Sequence, residues 1–211
     1  MASPSSARGQ TSAKNAIVKL LKDDHKRAKA AFTAFGKMDP LEDPDAAQAL
    51  VEQTCAELEA HAELEEQIFY PAARQALDDQ ELIEEAEVEH MTFKMLLEQI
   101  KSLDVQDEKY AATFKVLGEY VQHHVKEEEG EMFKQLASDA DWTTVRDQML
   151  ARRVELLEEK GLAPEEVATS GTSRSSTRSA SGGARRRSST RRSTAREERP
   201  RAADDADDDG E

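Results

Sequence analysis

The stretch HAELEEQIFYP, residues 61–71, decides how this chain folds, and HHVKEEEGEMF at residues 123–133 repeats its pattern. In the first stretch His61 and Glu65 are four residues apart, so on an α-helix both side chains leave the same face one turn apart. Apolar residues continue that face on both sides of each stretch: Leu50, Leu58, Ile68 and Ala72 around the first, and Phe114, Leu117, Val121 and Met132 around the second. A histidine and a carboxylate that face a helical core need a partner there, and a shared metal ion would supply one.

The second stretch contains two pairs with this spacing, His124 with Glu128 and His123 with Glu127. We prefer the first pair because it lies on the apolar seam that runs from Phe114 to Gln135, and because it puts Met132 where Phe69 sits relative to Glu65. His123 is turned about 100° away from that seam, and we assign it to the surface or to a supporting role beside the metal.

Composition limits the class of protein. The chain has 211 residues, 37% apolar and 35% charged, with a net charge of −15, so it makes a poor candidate for generic nucleic-acid binding. Its single cysteine, Cys55, excludes an internal disulfide and a metal site built from cysteines. No apolar run reaches membrane-spanning length and the first ten residues lack an apolar leader, so we expect a cytoplasmic protein without a membrane partner.

Apolar periodicity predicts five helices, at about 12–35, 43–76, 78–103, 107–137 and 141–160. Asp43 followed by a proline reads as the cap of the second helix, and Pro71 should kink or shorten its last turns. Four helices of similar length with short links predict an all-α fold, an up-down-up-down antiparallel four-helix bundle with an extra C-terminal helix.

The same pattern divides the chain into a disordered N-terminus at 1–11, the bundle at 12–137, an accessory helix at 138–161 and a disordered tail at 162–211. The accessory helix should pack outside the bundle or against a partner through one apolar side, formed by Trp142, Val145, Met149, Val154 and Leu157. The tail is rich in Ser, Thr and Arg and ends in acidic residues. We interpret it as a solubilising segment, and the alternative is that its arginines bind nucleic acid or another acidic partner.

Four histidines fall near the middle of four predicted helices, so an antiparallel bundle brings them to one level, with two glutamates one turn away. The predicted metal ligands are His25, His61, Glu65, His90, His124 and Glu128. Imidazole and carboxylate donors without thiolate suit iron, manganese or zinc. The set is too large for one tetrahedral zinc ion and suits a pair of six-coordinate ions, with iron as the first choice and manganese as the second.

The order of these motifs resembles the hemerythrin-type HHE cation-binding domain over about residues 12–137: a histidine, an HxxxE pair, the EH dipeptide Glu89-His90 and a second HxxxE pair, with IFYP and HHVKEEE as flanks. The resemblance implies a four-helix bundle that holds two non-haem iron ions, or manganese or a mixed pair, with a bridging oxo or hydroxo group. It also implies that the four histidines are terminal nitrogen ligands and that Glu65 and Glu128 are bridging carboxylates.

One position departs from the oxygen-carrying members of that family. They have another histidine one turn after the third-helix histidine, where this chain has Lys94. About two coordination positions would then stay open rather than one, unless Glu66, Glu127 or a tyrosine fills the gap. Other glutamates beside the motifs are predicted to be solvated or to orient a histidine; they are Glu63, Glu66, Glu89 and Glu129.

Three functions are consistent with this sequence. The leading hypothesis is a di-iron protein that binds or senses O2 or a related small oxidant. The first alternative is a di-iron enzyme that consumes peroxide or nitric oxide at the open position. The second is an iron store or an interaction scaffold whose tail recruits a partner. The sequence leaves the oligomeric state open.

Overall fold

The computed structural model describes residues 4–137 and 140–162. Helices and the short turns between them make up these residues, and no β-strand occurs among them. The helices are α1 Pro4–Phe35, α2 Pro44–Leu64, α3 Tyr70–Ala76, α4 Glu81–Lys101, α5 Tyr110–Glu127, α6 Phe133–Gln135 and α7 Trp142–Glu159. Two π-helical segments, π1 Glu65–Phe69 and π2 Glu128–Met132, join α2 to α3 and α5 to α6. No helix of this described part is long and apolar enough to cross a membrane. The predicted tail lies outside the described residues, except for Leu162.

Four helical rods pack in a ring, in which α1 contacts α2 and α5, and α4 contacts the same two. Neighbouring rods run antiparallel, as contacts between α2–π1 and α4 illustrate. Glu66 of π1 binds Lys94 of α4. Glu59, which comes earlier in the chain than Glu66, binds Lys101, which comes later than Lys94. This arrangement is consistent with the predicted up-down-up-down order.

Local sequence explains where two helices begin. The side chain of Asp43 accepts a hydrogen bond from the backbone N–H of Ala46, and Pro44 is the first helical residue, as predicted. Asp141 caps α7 in the same way through the N–H of Thr144.

The first helix differs from its prediction, because it begins at Pro4 and not near Ser12. The prediction of a disordered segment at 1–11 is therefore wrong from Pro4 onward. The N-terminal turns of α1 pack against α7, where Gln10 accepts a hydrogen bond from the backbone N–H of Thr143 at 2.9 Å. Ala13 is fully buried in the same contact region. A tertiary contact orders residues whose own composition does not favour a helix.

The accessory helix α7 packs directly on α1 and α2. Its buried residues are Trp142, Met149, Leu156 and Leu157. The indole N–H of Trp142 donates to the carbonyl oxygen of Ala137 at 2.8 Å. Val154, which the sequence placed on the buried side, is 46% exposed. α7 is thus a fifth long helix that packs against the four-helix ring.

Both π-helical segments shift the buried face by one residue. In each segment a backbone N–H bonds to the carbonyl five residues earlier, Tyr70 to Glu65 and Phe133 to Glu128. Each wide turn absorbs one extra residue. Phe69 and Ala73 are therefore fully buried, and not the predicted Ile68 and Ala72. Pro71 is the second residue of α3, just after π1, so the distortion expected there is a π-turn within a continuing helical rod.

The same shift corrects the fourth predicted helix. Gln135, predicted to lie on its seam, is exposed, and Leu136 is buried instead. Met132 keeps the equivalence predicted for it, since it follows Glu128 as Phe69 follows Glu65 and both are buried.

The apolar core is divided into two clusters. One includes Ile17, Phe69, Ile83 and Trp142, and the other includes Phe35, Phe93, Phe114 and Leu117. Buried polar residues occupy the level between them: His25, His61, Glu65, His90, His124 and Glu128, with exposures from 0 to 6%. The fold therefore surrounds one polar layer with apolar side chains on both sides.

Candidate metal centre

Glu65, the first residue of π1, lies between two imidazoles from different helices. Its Oε2 atom is 3.1 Å from Nε2 of His61 and 3.4 Å from Nε2 of His90. Glu128, the first residue of π2, has the same relation to two others. Its Oε2 atom is 3.3 Å from Nε2 of His25 and 3.8 Å from Nε2 of His124.

The ligand atoms form two overlapping groups, and within each group all atoms lie within 4.8 Å of one another. One group contains His25, His61, Glu65 and Glu128, and the other contains Glu65, His90 and His124. Glu65 belongs to both. The structure brings all six predicted side chains together in one layer, in which Glu128 belongs to the first group alone.

Several donor atoms of this layer have no hydrogen-bond partner among the described residues. They are Nε2 of His25, Nε2 of His61 and both carboxylate oxygens of Glu65 and of Glu128. Burying an unpaired carboxylate is costly, and nearby histidines alone do not satisfy four such oxygens. Metal cations would satisfy all these atoms at once, so the donor set fits the ions that the sequence predicts.

Each imidazole is oriented from outside by an acidic side chain. The Nδ1 atoms pair with carboxylate oxygens as His25–Glu129 at 3.0 Å, His61–Asp24 at 3.4 Å, His90–Glu66 at 2.9 Å and His124–Glu89 at 2.9 Å. When Nδ1 donates to a carboxylate, Nε2 is left as the atom that can bind a metal. The four rings therefore all present the same nitrogen to the layer.

Three of the four glutamates that the sequence left between two roles, Glu66, Glu89 and Glu129, orient histidines in this way. Glu63 does not, because its carboxylate binds Lys160 at 2.8 Å. Sequence reasoning missed Asp24. That residue precedes His25 yet orients a histidine of another helix, and spacing within one helix cannot show such a contact.

Charge in the layer is arranged to favour cations. Burial opposes ionisation of Glu65, but the adjacent imidazoles of His61 and His90 hold its pKa well below its usual range. Burial likewise opposes protonation of His61, yet Glu65 and Glu128 raise the pKa of that ring. The carboxylates thus give the layer a negative electrostatic potential, which also attracts metal ions.

Lys94 faces away from the layer. Its Nζ atom lies 2.6 and 2.5 Å from the two carboxylate oxygens of Glu66, which also accepts from His90. Lys94 therefore fixes a supporting carboxylate where the oxygen-carrying proteins have a ligand. Glu66 is thereby placed outside the layer, and Glu127 pairs with His123 on the surface.

Tyr70 is the remaining group that could fill an open position. Its hydroxyl oxygen is 3.0 Å from Nε2 of His90, and the residue is 1% exposed. Burial, together with the charges of Glu65 and Glu128, raises the pKa of Tyr70 well above its usual value. The hydroxyl therefore stays protonated and can donate a hydrogen bond at the edge of the layer.

A narrow cavity reaches the layer between α1, α2, α4, α5 and α7. His25, His61 and His124 line it together with apolar side chains, among them Ala28, Leu58, Phe93, Val121 and Val125. About 20 Å³ of it is available to the centre of a water-sized sphere. That space suits one water or one diatomic molecule. The cavity is too small for a sugar or a nucleotide.

Comparison with known proteins agrees with this architecture. A family model described as the hemerythrin HHE cation binding domain matches residues 16–136. A DNA nickase from Nostoc sp. is 32% identical over 120 residues, which cover 56% of this chain and 32% of the nickase. The chain therefore spans about a third of that relative's length.

The crystal structure of a hemerythrin HHE cation binding domain-containing protein from Mycobacterium kansasii is also similar. It superposes with a TM-score of 0.57 and 22% identity, covering 73% of this chain and 93% of the other. At that level of identity the likeness shows the shared fold.

Proposed function

Because this chain belongs to the hemerythrin HHE cation-binding family, we propose that its buried layer holds two iron ions and binds or senses O2 or a related small oxidant. A manganese or mixed-metal pair is the alternative. One observation carries the proposal: six buried donor atoms from His25, His61, Glu65 and Glu128 meet in one layer, and none has a hydrogen-bond partner in the part of the chain that the structure describes. The bound ions would supply the redox chemistry that side chains lack.

The cavity supports a small ligand. Its walls are mainly apolar, and about 20 Å³ is open to the centre of a water-sized sphere, which is room for a diatomic molecule beside His25 and His61. The Tyr70 hydroxyl would donate a hydrogen bond on the opposite side of the layer, near His90. The cavity would thus select ligands by their size, and Tyr70 would offer one uncharged hydrogen-bond donor.

Metal analysis of the purified full chain, combined with optical spectra, tests the proposal. Loaded with Fe²⁺ without oxygen and then exposed to air, the protein should retain about two irons per chain and gain near-ultraviolet absorption. Glu65→Gln should lose both properties, whereas Glu63→Gln, two residues away and outside the layer, should keep them. Wild-type protein that retains no iron would refute the proposal.

A peroxide- or nitric oxide-consuming enzyme is a second candidate, favoured by the position of Lys94. Lys94 binds Glu66 and not the layer. Metal coordination positions without a protein ligand would therefore remain open to a reactant. Turnover of peroxide or nitric oxide above that of free iron, lost in Glu65→Gln, would establish the enzyme. Turnover equal to that of free iron would favour the binding and sensing role.

Contact with nucleic acid is a separate proposal, motivated by the relative described as a DNA nickase and by ten arginines after Ser170. DNA binding through these arginines should weaken steeply as salt rises. Replacing Arg185, Arg186 and Arg187 by serine should reduce it, while Glu65→Gln should not. Salt-insensitive binding would exclude this mechanism, and an iron store or scaffold with another acidic partner would then be the remaining candidate.

A cytoplasmic location belongs to the same set of proposals. It is motivated by the sole cysteine, Cys55, a buried free thiol whose pKa burial raises to about 12. Such a thiol is compatible with a reducing compartment. Fractionation of cells that express the tagged chain would test the location, and recovery outside the cytoplasm would refute it.

A further inference from the structure

The second HxxxE pair of the HHVKEEE stretch forms its own cluster on the surface. Nε2 of His123 lies 3.2 Å from Oε1 of Glu127 and 3.4 Å from Oε1 of Glu89. The ligand atoms of all three lie within 4.8 Å of one another. His123 is 60% exposed and Glu127 is 35% exposed, so dissolved ions can reach them. The buried centre uses neither residue.

Glu89 connects this cluster to the buried centre. One of its carboxylate oxygens faces His123, and the other accepts from Nδ1 of His124 at 2.9 Å. Through the opposite nitrogen, Nε2, His124 contributes to the buried layer. Glu127 and Glu128 are likewise consecutive residues, one in the outer cluster and one in the inner. The two donor sets are therefore connected through the Glu89–His124 hydrogen bond and through the adjacent residues Glu127 and Glu128.

A small cavity lies between the two sets. Glu85, Glu89 and Glu127 line it together with His124 and Glu128. About 10 Å³ is available to the centre of a water-sized sphere, which is space for a single small ion or water. Glu128 is 1% exposed and neither of its carboxylate oxygens has a hydrogen-bond partner among the described residues. A buried carboxylate that accepts no hydrogen bond from the described residues thus borders the same space as Glu89 and Glu127 of the surface cluster.

The local charge is negative. Within the described part of the chain, the ion pairs of Glu89 and Glu127 are with histidines and not with lysine or arginine. Glu85 adds a third carboxylate to the cavity wall. Carboxylates that lack a permanent cationic partner attract dissolved cations.

We propose that Glu89, His123 and Glu127 form an outer site for a divalent transition-metal ion, and that ions pass from it to the buried centre. One imidazole and two carboxylates suit Mn²⁺, Fe²⁺, Co²⁺ or Zn²⁺. The outer site itself stands on the surface geometry, whereas the loading role rests on the di-iron centre proposed above.

Equilibrium dialysis of the metal-free full chain against Co²⁺ tests the outer site. Wild type should bind one ion more per chain than His123→Ala, and Glu127→Gln should show the same loss. The matched control is Glu119→Gln, which removes one negative charge from an exposed residue of the same helix, α5, and should bind as wild type does. Circular dichroism checks that each variant is folded. Equal binding by wild type and both site variants would overturn the outer site.

The absolute number of Co²⁺ ions bound per chain distinguishes the outer site from the buried di-iron centre. If wild type binds about three ions and His123→Ala about two, both sites exist. If they bind about one and none, the outer site stands and the buried di-iron centre is refuted. The comparison between variants cancels any weak binding by the acidic end of the chain.

Stopped-flow absorption during Fe²⁺ loading tests the route. His123→Ala should fill the buried centre about tenfold more slowly, in line with the loss of local ion concentration, while its final buried iron content equals that of wild type. Glu119→Gln should load at the wild-type rate. Equal loading rates for wild type and His123→Ala would overturn the loading role.

Discussion

Asp24 is the residue on which most contacts at the edge of the layer converge. Its carboxylate accepts from Nδ1 of His61 at 3.4 Å and binds the guanidinium of Arg153 with both oxygens, at 2.5 and 2.7 Å. It also binds Arg27. Two arginines fix the position of the carboxylate, and the carboxylate in turn fixes the ring of His61. Orientation of the predicted ligand His61 thus depends on groups outside the donor layer.

Asp24→Asn should weaken metal retention without unfolding the protein. An amide cannot provide the charge that draws the His61 N–H toward it and that pairs with Arg153, so the ring loses its fixed orientation. We expect metal affinity to fall about 10- to 100-fold, measured by competition with a chromophoric chelator. Asp23→Asn is the matched control, since Asp23 is half exposed and pairs with Lys19. Equal affinities in the two variants would contradict the role of Asp24.

Tyr70→Phe should separate the effect of the hydroxyl group from that of the aromatic ring. The ring packs against Phe69 and His90 and should keep its place, whereas the hydroxyl beside His90 is lost. We expect unchanged iron content, a changed optical spectrum of the oxidised protein, and a loss of about 1 kcal/mol in unfolding free energy. Tyr110→Phe, buried in the other apolar cluster, should leave the spectrum unaltered. A wild-type spectrum in Tyr70→Phe would show that the hydroxyl does not act on the centre.

Contacts made within one helix were predictable at this scale, and contacts between helices were not. His25, His61, His90 and His124 could be placed in a layer because each interrupts an apolar stripe near mid-helix. The carboxylates that orient them come from neighbouring helices, as Glu89 does for His124. A single sequence carries no spacing signal for such pairs.

At the scale of the element, the π-helical turns are what periodicity could not reveal. Prediction with a constant 3.6-residue period placed Gln135 on the buried seam, yet π2 absorbs a residue and buries Leu136. Both π-turns begin at the glutamates that join the layer, Glu65 and Glu128. π-turns are rare and concentrate at functional sites. Their position here therefore agrees with a site at the layer.

Helix spacing gives a prediction at the same scale. A Cβ atom at Gly118 of α5 would lie 2.8 Å from the ring of Phe32 on α1, so glycine permits the two helices to approach. Gly118→Ala should lower the unfolding free energy by about 1–3 kcal/mol through overpacking. Gly130→Ala is the control, because a Cβ atom there meets nothing within 4 Å. Chemical denaturation measures both, and equal stabilities would show that Phe32 moves aside freely.

At the scale of the molecule, α7 completes the enclosure of the layer. Arg153 and Leu157 of α7 line the cavity beside His25 and His61, and Lys160 binds Glu59 and Glu63 of α2. The existence of α7 was predictable from its own apolar residues. Its docking place was not, because that depends on the surface that α1 and α2 present together. The N-terminal turns of α1 were mispredicted for the same reason, since α7 covers them.

Releasing α7 from the bundle should therefore expose the layer to solvent, even when the substituted residue lies far from the layer. Trp142 is fully buried at the start of α7, and Trp142→Ala should cost about 3–5 kcal/mol of stability. It should also loosen the Arg153–Asp24 contact, so that a chelator strips bound iron several-fold faster at a temperature where the bundle remains folded. Val154→Ala, on the exposed side of the same helix, should do neither. If Trp142→Ala lost the expected stability but released iron at the wild-type rate, α7 would be a stabilising helix that does not control access to the layer.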